Sequence, residues 1–138
     1  VDDAVSRGAT VLTGGKVPPG PGFYYAPTVV TNIDPAAELV NTEIFGPVAP
    51  VIPFDDVADV VRHANSTVFG LAAYVFGRAA GRALNVAQRI DSGVIGVNRG
   101  FVSDPAAPFG GMKHSGIGPS RRVNPIGITP ILSRCSPC

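Results

Sequence analysis

The chain has 138 residues, 45% of them hydrophobic and 15% charged, with a formal net charge of +1. That composition suits one globular domain with a real core and excludes an intrinsically disordered chain. The near-neutral balance gives no electrostatic case for nucleic acid or an anionic membrane, and no apolar run approaches the roughly 20 residues a membrane helix needs.

Val1 to Arg7 reads as a helix stopped by Gly8, a natural C-terminal cap. Because the sequence opens on what reads as the middle of that helix, without Met and without a secretory or transit-peptide pattern, a fragment is expected. Ala9 to Thr13 is a short strand. Gly14 to Gly22 carries four Gly and three Pro, and is a loop. Phe23 to Val30 is aromatic and β-branched, hence a strand, with Pro27 placing part of it at an edge or bulge. Asp34-Pro35 starts a helix that runs to about Asn41, Asp as N-cap and Pro at the first helical position.

Val48 to Phe54 is an apolar strand. Asp55 and Asp56 can cap the next helix, which sets Val57, Val60, Val61 and Ala64 on one face. Leu71 to Phe76 is a continuous apolar strand. Arg78 to Ile90 is an amphipathic helix burying Ala80, Ala83, Leu84, Ala87 and Ile90, and Gly93 to Val97 is a buried strand. Alternating strands and helices with near-continuous apolar strands predict an α/β fold, a parallel sheet flanked by helices. In such a sheet, ligands gather at the loops leaving the C-terminal ends of strands.

The two cysteines, Cys135 and Cys138, sit near the end. Two incidental thiols are the plainer reading; a redox or metal half-site is the weaker one, since the pair has no second pair or neighbouring His. Nothing suggests a disulfide-rich secreted protein.

Several segments, in order and spacing, resemble the C-terminal part of the catalytic domain of NAD(P)-dependent aldehyde dehydrogenases. They are Val11-Leu12-Thr13-Gly14-Gly15, Pro27-Thr28-Val29, Glu43-Ile44-Phe45-Gly46-Pro47-Val48, Asn65 through Tyr74, Gly96-Val97-Asn98 and Pro108-Phe109-Gly110-Gly111-Met112-Lys113, with a following Ser115-Gly116. The resemblance covers residues 1–118. Residues 119–138, rich in Pro and Arg and free of acidic residues, read as a divergent tail of the kind a reading-frame shift produces.

The resemblance implies roles. The glutamate matching Glu43 holds the ribose next to nicotinamide, a carboxylate accepting two hydroxyl hydrogen bonds. Read from its residues alone, Glu43 is a solvated side chain in the last turn of a short helix, a poor place for a negative charge against the helix dipole. Phe45 packs near the nicotinamide ring, with core filling as its plain alternative. Gly46-Pro47 makes a rigid turn that aims the residues before it. Phe109 lines the aldehyde tunnel. Ser103 stands where many relatives carry an aromatic residue and the succinate-semialdehyde group carries Ser, whose hydroxyl can bind the far carboxylate of the substrate. Its alternative is capping the Ser103-Asp104-Pro105 turn.

By the same resemblance the cofactor is NAD or NADP and the reaction oxidises an aldehyde, with a lean to succinate semialdehyde. In the family a thiolate attacks the aldehyde, hydride passes to the nucleotide and water hydrolyses the thioester. The nucleophile matches no residue here, since Cys135 and Cys138 lack its surroundings. The chain alone is therefore expected to be inactive, at most a binding or structural α/β fragment. Cytoplasmic location, no nucleic-acid or membrane partner and a homo-oligomeric full-length enzyme are expected, with assembly in doubt for this chain. Arg99 is a nearby cation without an assigned role, His63 and His114 read as surface histidines, and Lys113 as a solvated loop charge.

Overall fold

The computed structural model describes residues 1–103 and 108–117. They fall in two units, Val1–Asp55 and Asp56–Cys138, of which the second includes the residues not described.

In the first unit, α1 (Asp2–Ser6) ends as its sequence suggests. Gly8 takes φ +98°, and the N–H groups of Gly8 and Ala9 donate to the carbonyls of Val5 and Ala4. This is the 5→2 and 6→1 pair that closes a helix on a left-handed glycine. β1 (Thr10–Thr13) then pairs antiparallel with β2 (Thr28–Thr31), and β2 pairs parallel with β3 (Val48–Pro50). Val30, fully buried on β2, packs with Ala4, Ala9, Ile33 and Ala37, so α1 and the chain after β2 cover one face of this sheet.

Three elements of this unit differ from the sequence reading. The strand expected over Val48 to Phe54 ends at Pro50. The strand expected from Phe23 begins only at Thr28. Pro27 has no N–H to give a ladder, and Gly20 and Gly22 hold left-handed φ values that turn the chain instead. The helix expected from Asp34 also starts later. The Asp34 carboxylate accepts the Ala36 N–H at 2.8 Å, which closes a turn, and Ala37 is then extended. Helix α2 (Glu38–Asn41) follows, and its N-cap comes from elsewhere. Asp3 of α1 accepts the Glu38 N–H at 2.8 Å on one carboxylate oxygen and the Arg7 Nε at 2.8 Å on the other.

In the second unit, α3 (Val57–Asn65) is capped by Asp56, which accepts the Ala58 N–H, as expected. Val61 is buried; Ala64, expected on the same face, is exposed. β5 (Ala72–Val75) and β6 (Val94–Val97) form a parallel pair, against which α4 (Ala80–Ala87) packs Ala87 with Ile90, Ile95, Ala73 and Val75. β4 (Phe69–Gly70) pairs antiparallel with β7 (Met112–Lys113). The parallel pairs with helices against them match the expected α/β class, and the antiparallel pairs add to it. The strand at Leu71–Phe76 is not buried on both faces: Leu71, Tyr74 and Phe76 are substantially exposed, as is Leu84 of α4. Only the Ala73 and Val75 face of β5 meets α4 in the cluster.

One close approach fixes the second unit. A Cβ on Gly93 would run into the Gly110 carbonyl, and one on Gly111 into the Ser115 backbone. Only glycine allows these backbones to touch. Gly93→Ala should therefore lower unfolding stability by about 3 kcal/mol or more, since the obstacle is backbone and cannot rotate away. A denaturant titration checks it; a loss under about 1 kcal/mol would show that the contact gives way.

The Asp3 contacts generate a pH prediction. Hydrogen bonding to Arg7 first, then to the Glu38 N–H, holds the Asp3 carboxyl below its ordinary value of 3.8. A carboxylate with a depressed folded pKa stabilises the fold above its unfolded value and loses that contribution as pH falls through the folded one. Asp3→Asn should therefore melt at a lower temperature than the parent at neutral pH, with the gap closing below pH 3.8. Calorimetry across that range reads it. The side chains are partly exposed, so added salt should shrink the gap.

Candidate functional site

The segment carrying Glu43 and Phe45 is held at both ends. Upstream, α2 is closed by side chains: Asn41 Nδ2 donates to the Ala37 carbonyl and Thr42 Oγ1 to that of Glu38. Thr42 is already extended, so Glu43 lies beyond the helix end and not in its last turn. Contrary to the sequence expectation, Glu43 does not oppose the helix dipole from the last turn: it sits on the connection. Downstream, the Thr28 N–H donates to the Pro47 carbonyl at 2.8 Å and the Val48 N–H to that of Gly46 at 2.9 Å. The latter is a three-residue turn for which the fixed φ of Pro47 is suited. Thr28 is itself buried, its hydroxyl donating to the Ala26 carbonyl and accepting the Gly15 N–H.

Between these anchors Phe45 is 94% exposed, so core filling is not its role within this unit. Its ring borders an open hollow of about 480 Å³ together with Phe23, Tyr25, Ile44, Gly46 and Pro47. Glu43 is exposed and does not line that hollow; among the described residues its carboxylate makes no hydrogen bond or ion pair. Phe23 and Tyr25, expected on a strand, lie outside it. The Pro-Gly loop before them is the sequence signal for that departure.

In the second unit, Ser103 and Phe109 lie on the connection between β6 and β7. Asn98, at φ +53°, ends β6, and its side-chain amide grips Gly77 from both sides, accepting the Gly77 N–H at 2.8 Å and donating to the Gly77 carbonyl at 2.9 Å. Val102 is buried against Val94, with Gly96 leaving it room, and Ser103 directly after it is exposed. A buried anchor followed by an exposed hydroxyl is a workable way to present Ser103. The Asp104-Pro105 turn that it was alternatively expected to cap lies outside the described residues.

Phe109 is 40% exposed. The glycines after it pack as described, and the chain is then tied twice. The Gly70 N–H donates to Ser115 Oγ at 3.0 Å, and Lys113 Nζ donates to the carbonyls of Asn65 and Thr67 at 2.8 and 3.0 Å. Lys113 is thus no solvated loop charge: it caps the C-terminal end of α3, where orphan carbonyls and the helix dipole both favour a cation. Asn65 in turn donates through Nδ2 to the Arg89 carbonyl and accepts the Asp91 N–H, joining the ends of α3 and α4. Sequence reading missed Asn65, Asn98, Lys113 and Ser115 as supports. Each does have a sequence signal, a polar side chain next to a strand or helix end.

Arg99, His63 and His114 are exposed, and no described His, Cys, Asp or Glu cluster could hold a metal ion. Cys135 and Cys138 lie outside the described residues, which therefore contain no thiol. Among the described residues no helix is long and apolar enough to cross a membrane. The arrangement can accept hydroxyl hydrogen bonds at Glu43, offer an aromatic face at Phe45 and donate a hydroxyl at Ser103.

The profile of the aldehyde dehydrogenase family matches residues 1–133. A succinate-semialdehyde dehydrogenase of Paenarthrobacter nicotinovorans is 47% identical over 118 residues, which is 86% of this chain and 26% of the relative. A probable NADP(+) succinate-semialdehyde dehydrogenase of Sinorhizobium fredii is 46% identical, with 86% of this chain and 24% of the relative covered. The crystal structure of succinate-semialdehyde dehydrogenase from Burkholderia pseudomallei superposes with a TM-score of 0.79 at 44% identity, over 86% of this chain and 24% of that one. The chain thus spans about a quarter of the length of the relatives it matches. The chain belongs to the aldehyde dehydrogenase family.

Proposed function

We propose that these residues form part of the cofactor site and part of the substrate wall of an enzyme oxidising succinate semialdehyde to the acid with NAD or NADP. The observation that carries this reading is the Glu43–Pro47 segment: a carboxylate unpartnered among the described residues and an exposed aromatic ring, on a turn pinned by Thr28. Such a pair fits a ribose and a flat heteroaromatic ring. Bound nucleotide supplies the hydride acceptor. Glu43 accepts the ribose hydroxyls and fixes the sugar, while Phe45 packs beside the ring and keeps water from it. Ser103 donates its hydroxyl to the far carboxylate of the substrate, and Phe109 lines the approach. The names of the relatives support both the substrate and, in one case, NADP.

The nucleophile comes from outside these 138 residues, because both cysteines lie in the terminal Pro/Arg-rich stretch. The chain alone should generate no absorbance of reduced nicotinamide with succinate semialdehyde and either nucleotide. Turnover abolished by Cys135→Ser would overturn this.

The roles themselves are tested in a chimera, residues 1–117 replacing the matching quarter of the Paenarthrobacter relative. Hydrogen bonds to a charged group contribute about 1.5–3 kcal/mol, so Glu43→Gln should lower kcat/KM by roughly 10- to 100-fold. Ser103→Ala should raise KM for succinate semialdehyde about tenfold while leaving that for an uncharged aldehyde of similar length unchanged. Equal effects on both aldehydes would remove the carboxylate role from Ser103.

A further inference from the structure

We propose that Lys113 is a positioning residue for the substrate wall: its ammonium, seated on the end of α3, fixes the course of Phe109-Gly110-Gly111 and with it the Phe109 ring. The inference rests on the reading of Phe109 as substrate wall and adds the device that holds it.

The starting observation is backbone strain. Lys113 takes φ +54°. For a residue with a Cβ this left-handed conformation costs about 1–2 kcal/mol, and neither Asn nor Asp chemistry is there to relieve it. Something must over-determine it. The ammonium does so by reaching back 46 and 48 residues to the Thr67 and Asn65 carbonyls. A left-handed residue reverses the chain locally, which lets one side chain point to α3 while its backbone stays on β4 through Phe69↔Lys113.

The latch has close neighbours that leave the loop little freedom. Ser115 receives the Gly70 N–H, the His114 N–H donates to the Val68 carbonyl, and Gly111 and Gly116 pack on one another. On the other side Gly110 rests on Gly93. Phe109 is therefore the first side chain beyond a stretch fixed at both flanks. Asn65 completes the seat: its own side chain binds the Arg89 carbonyl and the Asp91 N–H, so the carbonyl that receives Lys113 belongs to a residue already immobilised. A charged donor on two carbonyls at a helix C-terminus is the strong form of such a tie.

The chain has two lysines, which makes a direct test possible. Lys16 lies exposed in the Gly-Pro loop, its side chain unpartnered among the described residues. With an amine-reactive reagent at limiting time, mapped by peptide mass, Lys113 of the full chain should react about tenfold more slowly than Lys16, because it must first break its hydrogen bonds. Equal rates would remove the latch.

The positioning role is read in the chimera. Lys113→Met should raise KM for succinate semialdehyde about tenfold with the nucleotide KM little changed, since small misplacements of a substrate wall act on the substrate it lines. Lys113→Arg, which keeps the charge, should recover most of the loss. A merely structural lysine would instead lower the melting temperature and move both KM values together, and that result overturns the proposal. Phe109→Ala separates the two levels. If it raises the aldehyde KM while Lys113→Met does not, the latch fails and the wall stands. If Phe109→Ala leaves the aldehyde KM unchanged, wall and latch fall together.

Discussion

The constraint on which the rest of this structure depends is that its elements are too short to satisfy their own ends. A helix leaves its first N–H and last C=O groups without internal partners whatever its length. In a four-residue helix such as α2, and in two-residue strands such as β4 and β7, those ends are most of the element. Such pieces have little stability of their own. They persist here because side chains from elsewhere in sequence complete them: Asp3 on Glu38, Asn98 on Gly77, Lys113 on Asn65 and Thr67, Ser115 on Gly70. Hydrophobic burial alone would not select these partners, since it is not directional. The polar ties specify which ends meet.

That arrangement determines where function can be presented. Each tie falls beside a connection: Thr28 and Asn41 flank the Glu43–Pro47 segment, Asn98 precedes Arg99–Ser103, and Lys113 follows Phe109–Gly111. Loops over a rigid frame are where binding residues gather, and the frame must fix them closely for chemistry to benefit. The buried cores are small and built largely of alanine and valine, which fill space but encode little direction. The polar residues carry the information that aims the loops.

Sequence legibility followed the same division. Interactions local in the chain were readable: the Gly8 helix stop, the Asp56 cap of α3, and the β5–α4–β6 succession all rest on patterns within a few residues. Non-local ones were not. Asp34 has the signature of a helix N-cap, yet it closes a turn, and the helix N-terminus goes to Asp3, 35 residues away from Glu38. Lys113 reads as a solvated charge from its neighbours because nothing near it in sequence shows that α3 ends beside it. The strand expected at Phe23 gives way for a local reason: aromatic β-propensity loses to a Pro without a donor and to glycines already in left-handed turns. At the candidate site, the residue types were readable through family resemblance, but their exposure was not.

Exposure by itself does not mark Phe45 as functional. Phe23, Phe54, Phe76 and Phe101 are all well exposed, and scattered exposed hydrophobics need no special explanation. The distinguishing property of Phe45 is exposure directly before a turn tied to the sheet. A ring on a free loop would lose conformational entropy on binding, about 0.5–1.5 kcal/mol for each immobilised side chain, and more if backbone must order as well. The turn after Phe45 is fixed by a proline, a three-residue hydrogen bond and a hydrogen bond from buried Thr28, which reduces the backbone part of that loss. Ser103 is presented in a similar way, exposed directly after buried Val102. Preorganised presentation, more than residue identity or solvent access, separates the candidate site from the rest of an apolar surface.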